Sequence, residues 1–211
     1  MIPSLRLSVE DLTVARGGAH IFERVAFNAG PGDYVEVTGP NGSGKTSLLR
    51  VVAGFLRPVE GRVTMSSNFG PIPTDEQGLC MHLIGHRDGL KGPLSVAAHV
   101  AFWAGLYEGA DEVAVLERVG LHRLSDRLAR TLSAGQARRL ALSRLLIAPR
   151  PVWLLDEPAA ALDIAGRAWL LGLVSDHLAS GGIVVAAVHD PIGAVPDHKI
   201  VLNASIMADA S

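Results

Sequence analysis

Leu5, Leu7 and Val9 alternate with Arg6, Ser8 and Glu10, the period-two pattern of a strand with one buried face. Gly17-Gly18 turns the chain, and a second strand-like run covers Ile21 to Phe27. Gly30-Pro31-Gly32-Asp33 predicts another turn, after which Tyr34 to Thr38 reads as a short buried strand. Beyond the glycine-rich stretch 39–44, Leu48, Leu49, Val51, Val52 and Phe55 recur at helical spacing. Gly61 to Met65 and Leu79 to Ile84 predict further strands, with the Ser/Pro/Asn-rich segment 66–76 between them as a loop. From Ser95, an N-cap residue, to Leu146 the pattern is helical, punctuated by Gly105, Gly109 and Gly120. Strand character returns at Val152 to Leu155 and at Ile183 to Val188, with a helix from Ile164 to Ala179 between them. This order predicts a layered α/β fold carrying a helical insertion, rather than two linked domains. There is no internal repeat or heptad seam.

Candidate chemistry sits at the junctions of these elements. Gly39-Pro40-Asn41-Gly42-Ser43-Gly44-Lys45-Thr46 matches G-x-x-x-x-G-K-[ST] between a strand and a helix, the context such a phosphate loop requires. Its glycines let backbone N–H groups turn inward around phosphate oxygens, and the following helix adds its positive end. Lys45 is placed to reach the β- and γ-phosphates, and the Thr46 hydroxyl to coordinate Mg²⁺. Val152 to Leu155 is an apolar strand running into Asp156-Glu157. Strand ends of a parallel sheet are where ligands gather, so Asp156 suits a Mg²⁺ shell and Glu157 can take a proton from an attacking water.

Leu132-Ser133-Ala134-Gly135-Gln136 combines a hydroxyl, a glycine and a helix start, which makes either a second phosphate-binding surface or a simple N-cap. One γ-phosphate needs no second surface on the same chain, so on the first reading this loop caps a nucleotide held by another copy. His189 follows the strand 183–188 and lies at another strand end beside the phosphate site. Asp163, after Ala161-Leu162, is an N-cap or a contact across such a pair.

Composition narrows the classes. The chain has 211 residues, enough for one large domain or one with an embedded subdomain at about 150 residues per domain. Lys and Arg number 19 against 21 Asp and Glu, a net charge of −2, which argues against a polyanion grip on nucleic acid. The single cysteine, Cys80, excludes a disulfide framework and C-x-x-C metal motifs. Hydrophobic residues make up 48% and charged residues 19%, an apolar balance that leaves surface for a partner. No stretch reaches the ~18 apolar residues of a membrane span; the most apolar, Leu94 to Tyr107, is short and contains His99. The first residues lack the apolar run of a signal peptide, which predicts a cytoplasmic address and membrane work only through another chain.

In this order, spanning nearly the whole sequence, the motifs resemble those of ATP-binding cassette (ABC) ATPases. The resemblance implies one P-loop NTPase domain over 1–211, with a mixed sheet core, an antiparallel β subdomain and a helical subdomain inserted at roughly 87–148. It implies a head-to-tail pair holding two Mg²⁺-ATP between opposed P-loops and signatures, and a helical subdomain that docks on an integral membrane subunit. The implied roles are phosphate binding at 39–46, Mg²⁺ at Thr46 and Asp156, water activation at Glu157 and γ-phosphate contact at His189. Ser133, Gly135 and Gln136 would meet the other copy's nucleotide.

A narrower likeness rests on Leu83-Ile84-Gly85-His86, Gly89-Leu90-Lys91, Leu132-Ser133-Ala134-Gly135-Gln136 and Gly181-Gly182-Ile183-Val184. These resemble the haem-exporter ATPases of cytochrome c maturation, which act on the cytoplasmic face of the bacterial inner membrane with membrane partners of that system. An exporter ATPase for lipid, polysaccharide or drug shares the same catalytic motifs. Two positions depart from the wider family. His86 stands where a glutamine that senses Mg²⁺ and the γ-phosphate is usual, Gln77 falling too early. Arg16 stands where an aromatic residue stacks on adenine; a guanidinium can stack on a base, with Phe22 as the alternative.

Overall fold

The computed structural model describes residues 4–86, 88–107 and 110–203. Strand β1 (Leu5–Arg16) pairs antiparallel with β2 (Ala19–Ala29) and with β4 (Glu60–Ser67), and β5 (Gly70–Ile72) adds to β4. The resulting four-stranded sheet has the order β2-β1-β4-β5. Two-residue turns join β1 to β2 and β4 to β5, as antiparallel neighbours allow, whereas β1 and β4 pair across the intervening β2, β3 and α1 segments. The second sheet contains β3 (Tyr34–Thr38), β6 (Met81–Ile84), β7 (Val152–Asp156), β8 (Ile183–Ala187) and β9 (His198–Val201). Its order is β6-β7-β8-β3-β9 and each of its pairings is parallel. Parallel and antiparallel strands are thus both present, sorted into separate sheets.

Helix α1 (Lys45–Val52) follows β3, and α7 (Ile164–Ala179) joins β7 to β8. The short α2 (Thr74–Gln77) precedes β6. Between β6 and β7 lie α3 (Val96–Leu106), α4 (Glu112–Arg118), α5 (Ala134–Leu142) and α6 (Arg144–Ile147). Ser95 caps α3 as expected, its hydroxyl accepting from the Ala98 N–H. Gly105 lies within α3 instead of ending it, Gly120 follows α4, and Gly109 is outside the described residues, as is Arg87 at the start of the expected helical insertion.

The continuous apolar runs of the parallel sheet are explained by burial on both faces. Val152, Leu154, Val185 and Ala187 point into a core shared with α1 and the antiparallel sheet. Trp153, Leu155, Val184 and Ala186 point the other way, against α7. A third cluster, including Val100, Leu116, Val119 and Leu140, holds the inserted helices together.

The α7 face also contains two buried histidines. His82 lies opposite Trp153 in the β6–β7 register and donates from Nε2 to the Ala148 carbonyl at 2.7 Å. His177 stacks on Trp153 with ring centroids 3.7 Å apart and planes 7° from parallel. Burial lowers both rings from 6.5 to about 4, so both are neutral at physiological pH.

Several boundaries differ from the pattern-based reading. The first strand continues to Arg16 through irregularities in its pairing, which scramble simple alternation. Leu79 and Cys80 belong to a 3₁₀ turn, so β6 starts only at Met81. The expected loop at 66–76 holds β5 and the start of α2, both too short to show periodicity. Edge strand β9 was not expected at all.

Candidate functional site

Loop 39–44 leaves the carboxyl end of β3 and runs directly into α1. Gly39 and Gly44 have φ of +148° and +98°. A side chain at Gly39 would put Cβ 2.2 Å from the Leu202 carbonyl oxygen, and one at Gly44 would lie 2.5 Å from Ile21. Only glycine fits at either place. No side chain caps α1, so its first N–H groups remain available to an anion. Lys45 is buried along its stem and donates from Nζ to the carbonyls of Gly39 and Pro40 at 2.8 and 3.3 Å. The loop therefore curls around its own ammonium group. The Ser43 hydroxyl is buried without a hydrogen-bond partner. An inward-curled backbone, a buried cation and a spare hydroxyl together fit a polyphosphate.

The second half of the site comes from β7. Asp156, 3% exposed, accepts a hydrogen bond from the Thr46 hydroxyl at 2.9 Å. Two hard oxygen ligands are thereby joined, an arrangement that suits Mg²⁺. Glu157 takes a left-handed backbone, φ +50°, and its N–H donates to the Ala187 carbonyl at 2.8 Å. Its carboxylate accepts from the backbone N–H of His189 at 3.1 Å, which ties the ends of β7 and β8 together.

A cleft of about 640 Å³ collects Asn41, Gly42, Gly44, Lys45 and Thr46 with Asp156, Glu157, His189, His86 and Arg16. His86 and Arg16, the two departures from the family pattern, thus both reach this cleft. Phe22 does not line it: the ring is 7% exposed and packs beneath Gly44, so Arg16 and Ile21 are the residues available beside a base. Gln77 is also remote, buried and donating to the Ile72 carbonyl at 3.2 Å.

Ser133, Gly135 and Gln136 do not join this cleft. They line a separate one of about 520 Å³ with Arg139 and the loop Ala161-Leu162-Asp163. Both N-cap readings hold. Ser133 and Gln136 form a reciprocal capping box on α5, and the Asp163 carboxylate accepts from the Gly166 N–H at 2.7 Å to cap α7.

One residue in contact with the site escaped pattern reading. Arg138, on α5, is buried beneath the carboxylate turn and bonds to backbone carbonyls there. Its only sequence signal is a charge on a helix face otherwise committed to the core.

The model of the ABC transporter family matches residues 22–160. The chain is 46% identical over 191 residues to the cytochrome c biogenesis ATP-binding export protein CcmA of Rhodopseudomonas palustris strain HaA2, covering 90% of this chain and 94% of that one. The corresponding protein of Bradyrhizobium diazoefficiens is also 46% identical over 191 residues, with the same shares covered. Rhizobium meliloti has one that is 43% identical over 195 residues, covering 90% and 93%. In fold, the chain is similar to a putative ABC transporter ATP-binding protein of Pyrococcus furiosus, with a TM-score of 0.77, 24% identity and 93% and 97% of the two chains covered. It is equally similar to a dimeric bacterial ABC transporter cassette, with a TM-score of 0.77, 22% identity and 93% and 94% covered. Strand–loop–helix phosphate cradle, carboxylate strand end and extended relatedness converge, and the chain belongs to the ABC transporter family as one of its ATP-binding, ATP-hydrolysing subunits.

Proposed function

We propose that this ATPase drives an export step in c-type cytochrome biogenesis, haem being the species handled, as one of two cassettes beneath an integral membrane subunit. The observation that carries the catalytic part is the convergence of Thr46, Asp156, Glu157 and His189 on the cleft beside the phosphate loop. The biogenesis role is supported by 46% identity across 90% of the chain to relatives named for that process. No helix among the described residues is long and apolar enough to cross a membrane, in keeping with a peripheral subunit on the cytoplasmic face.

In this reading the domain spans 1–211, with the helical subdomain at roughly 87–148 meeting the membrane subunit and other membrane proteins of cytochrome c maturation at hand. The 39–46 backbone and Lys45 hold the phosphates, and Arg16 lies against the base. Thr46 and Asp156 would hold Mg²⁺, which supplies charge neutralisation at the β- and γ-phosphates. Glu157 orients the attacking water and takes its proton, His189 contacts the γ-phosphate, and His86 fills the sensing position. Ser133, Gly135 and Gln136, displaced from that cleft, close on the nucleotide of the opposite cassette.

Glu157→Gln tests the chemistry. It keeps the shape and the hydrogen bond from His189, so nucleotide binding persists while hydrolysis falls ~10²–10⁴-fold. Hydrolysis at the parental rate would remove Glu157 from the mechanism. The biological role is tested in a bacterium lacking its own cytochrome c biogenesis ATPase. The parent chain, co-expressed with its membrane partners, should restore covalently haem-stained cytochromes, and Glu157→Gln should not.

A further inference from the structure

Arg138 is 2% exposed, and every N–H of its guanidinium is used. Nε donates to the Pro158 carbonyl at 3.2 Å. One terminal nitrogen donates to the carbonyls of Asp156 and Glu157 at 2.8 and 2.9 Å. The other donates to the Gly85 carbonyl at 2.9 Å and to the Asp88 carboxylate at 3.0 Å. The fork therefore grips two loops at once. One is the turn from Asp156 to Pro158 that carries the water-activating carboxylate. The other is the segment from Gly85 to Asp88 that carries His86. The grip is made from α5, the helix that begins at Ser133.

Burying a guanidinium is costly unless each donor is satisfied, and a neutral side chain would fill this space more cheaply. Its value must therefore lie in geometry. Glu157 sits in a left-handed backbone conformation, which an L residue keeps only when its surroundings hold it there. Its backbone partners enforce it: Ala187 accepts from the Glu157 N–H, and the Glu157 carbonyl accepts from the Ala160 N–H at 3.1 Å and from Arg138 at 2.9 Å.

We infer that Arg138 is a positioning residue for hydrolysis. It sets the Glu157 carboxylate relative to the cleft, and it makes that setting depend on the His86 loop and on α5. The inference rests on the proposed role of Glu157 in water activation. A positional error of about 1 Å is enough to cost ~10²-fold in rate. Lysine keeps the charge at this position but has no planar fork and cannot span both loops.

The test compares the parent chain, Arg138→Lys, Glu157→Gln and the double variant, all with the membrane subunit present. Nucleotide affinity is measured by titration with a fluorescent ATP analogue, and hydrolysis by steady-state and single-turnover rates. Arg138→Lys should lower kcat ~10–100-fold with Kd changed by less than ~3-fold, because the phosphate loop is untouched. On the Glu157→Gln background the same change should lower the residual single-turnover rate by less than ~3-fold, since the carboxylate it positions is already gone. Parental kcat in Arg138→Lys, a parallel loss of affinity, or an equal fold-loss on the Glu157→Gln background would each overturn the inference. A Glu157→Gln protein that turns over normally would instead sink the role of Glu157. Should Arg138→Lys not fold, Asp88→Asn takes its place. It weakens one arm of the fork, and kcat reduced ~3–10-fold at unchanged Kd supports the inference, whereas unchanged kcat overturns it.

Discussion

At the scale of single residues, the phosphate loop depends on close backbone contact more than on side chains. Gly39 lies against the Leu202 carbonyl, whereas a Cβ at Gly42 meets nothing within 4 Å although its φ is +84°. Gly42→Ala should therefore cost only the strain of a left-handed alanine, about 1–2 kcal/mol. Gly39→Ala must also push a backbone oxygen aside, and should cost at least ~1–3 kcal/mol beyond that. Urea unfolding of the two variants measures the difference directly. Equal losses would mean that the chain near Leu202 does not brace the loop.

At the scale of elements, α5 begins with a residue in two roles. Ser133 caps the helix through the Gln136 N–H and also lines the cleft that we propose meets a second cassette. Ser133→Asp separates these roles. Aspartate is as good a cap, so subunit stability should stay within ~0.5 kcal/mol of the parent, while Ser133→Ala should lose about 1 kcal/mol. The added carboxylate would oppose a facing γ-phosphate. ATP-dependent pairing, followed by sedimentation in a Glu157→Gln background, should disappear in Ser133→Asp and survive in Ser133→Ala. Pairing that survives the aspartate would place the facing phosphate elsewhere.

What was legible in the sequence follows the same division. Strand β3, its glycine loop and α1 lie in one short segment, and each carries a local pattern, so both element type and chemistry could be read from it. The Asp156-Glu157 strand end and the Asp163 cap were legible for the same reason. Arg138 was not, because four of its five acceptors are backbone carbonyls from segments remote in sequence, and a carbonyl has no residue-type signature. Nor was β9: its four residues are mostly exposed, and it is a strand because β3 offers an open edge. The exclusion of Phe22 depended on which side of β2 faces the loop, since its neighbour Ile21 lines the cleft, while Arg16 reaches it from the end of β1; both follow from packing across the irregular β1–β2 pairing.

For the whole molecule, the two neutral histidines around Trp153 make stability depend on acidity. Their folded values near 4 lie below the unfolded value of 6.5, so the unfolded chain binds more protons between those limits. Their contribution is complete above about pH 6.5 and is lost as pH falls towards 4. Between pH 7.5 and pH 5 each ring should account for about 2 kcal/mol. His177→Phe keeps a stacked ring without a titrating nitrogen. Urea unfolding at the two pH values should show the parent losing about 2 kcal/mol more than this variant. Identical losses would remove His177 as a cause.

The strand order has a consequence for synthesis. The partners of β3 are β8 and β9, which leave the ribosome long after it does, whereas β1, β2 and β4 can pair early. The phosphate loop emerges with β3 but has no parallel partner strand beside it, and no Leu202 against Gly39, until the β8 and β9 segments have been made. A nascent or prematurely terminated chain thus carries the complete loop sequence and yet should trap no nucleotide until the β8 and β9 segments are in place.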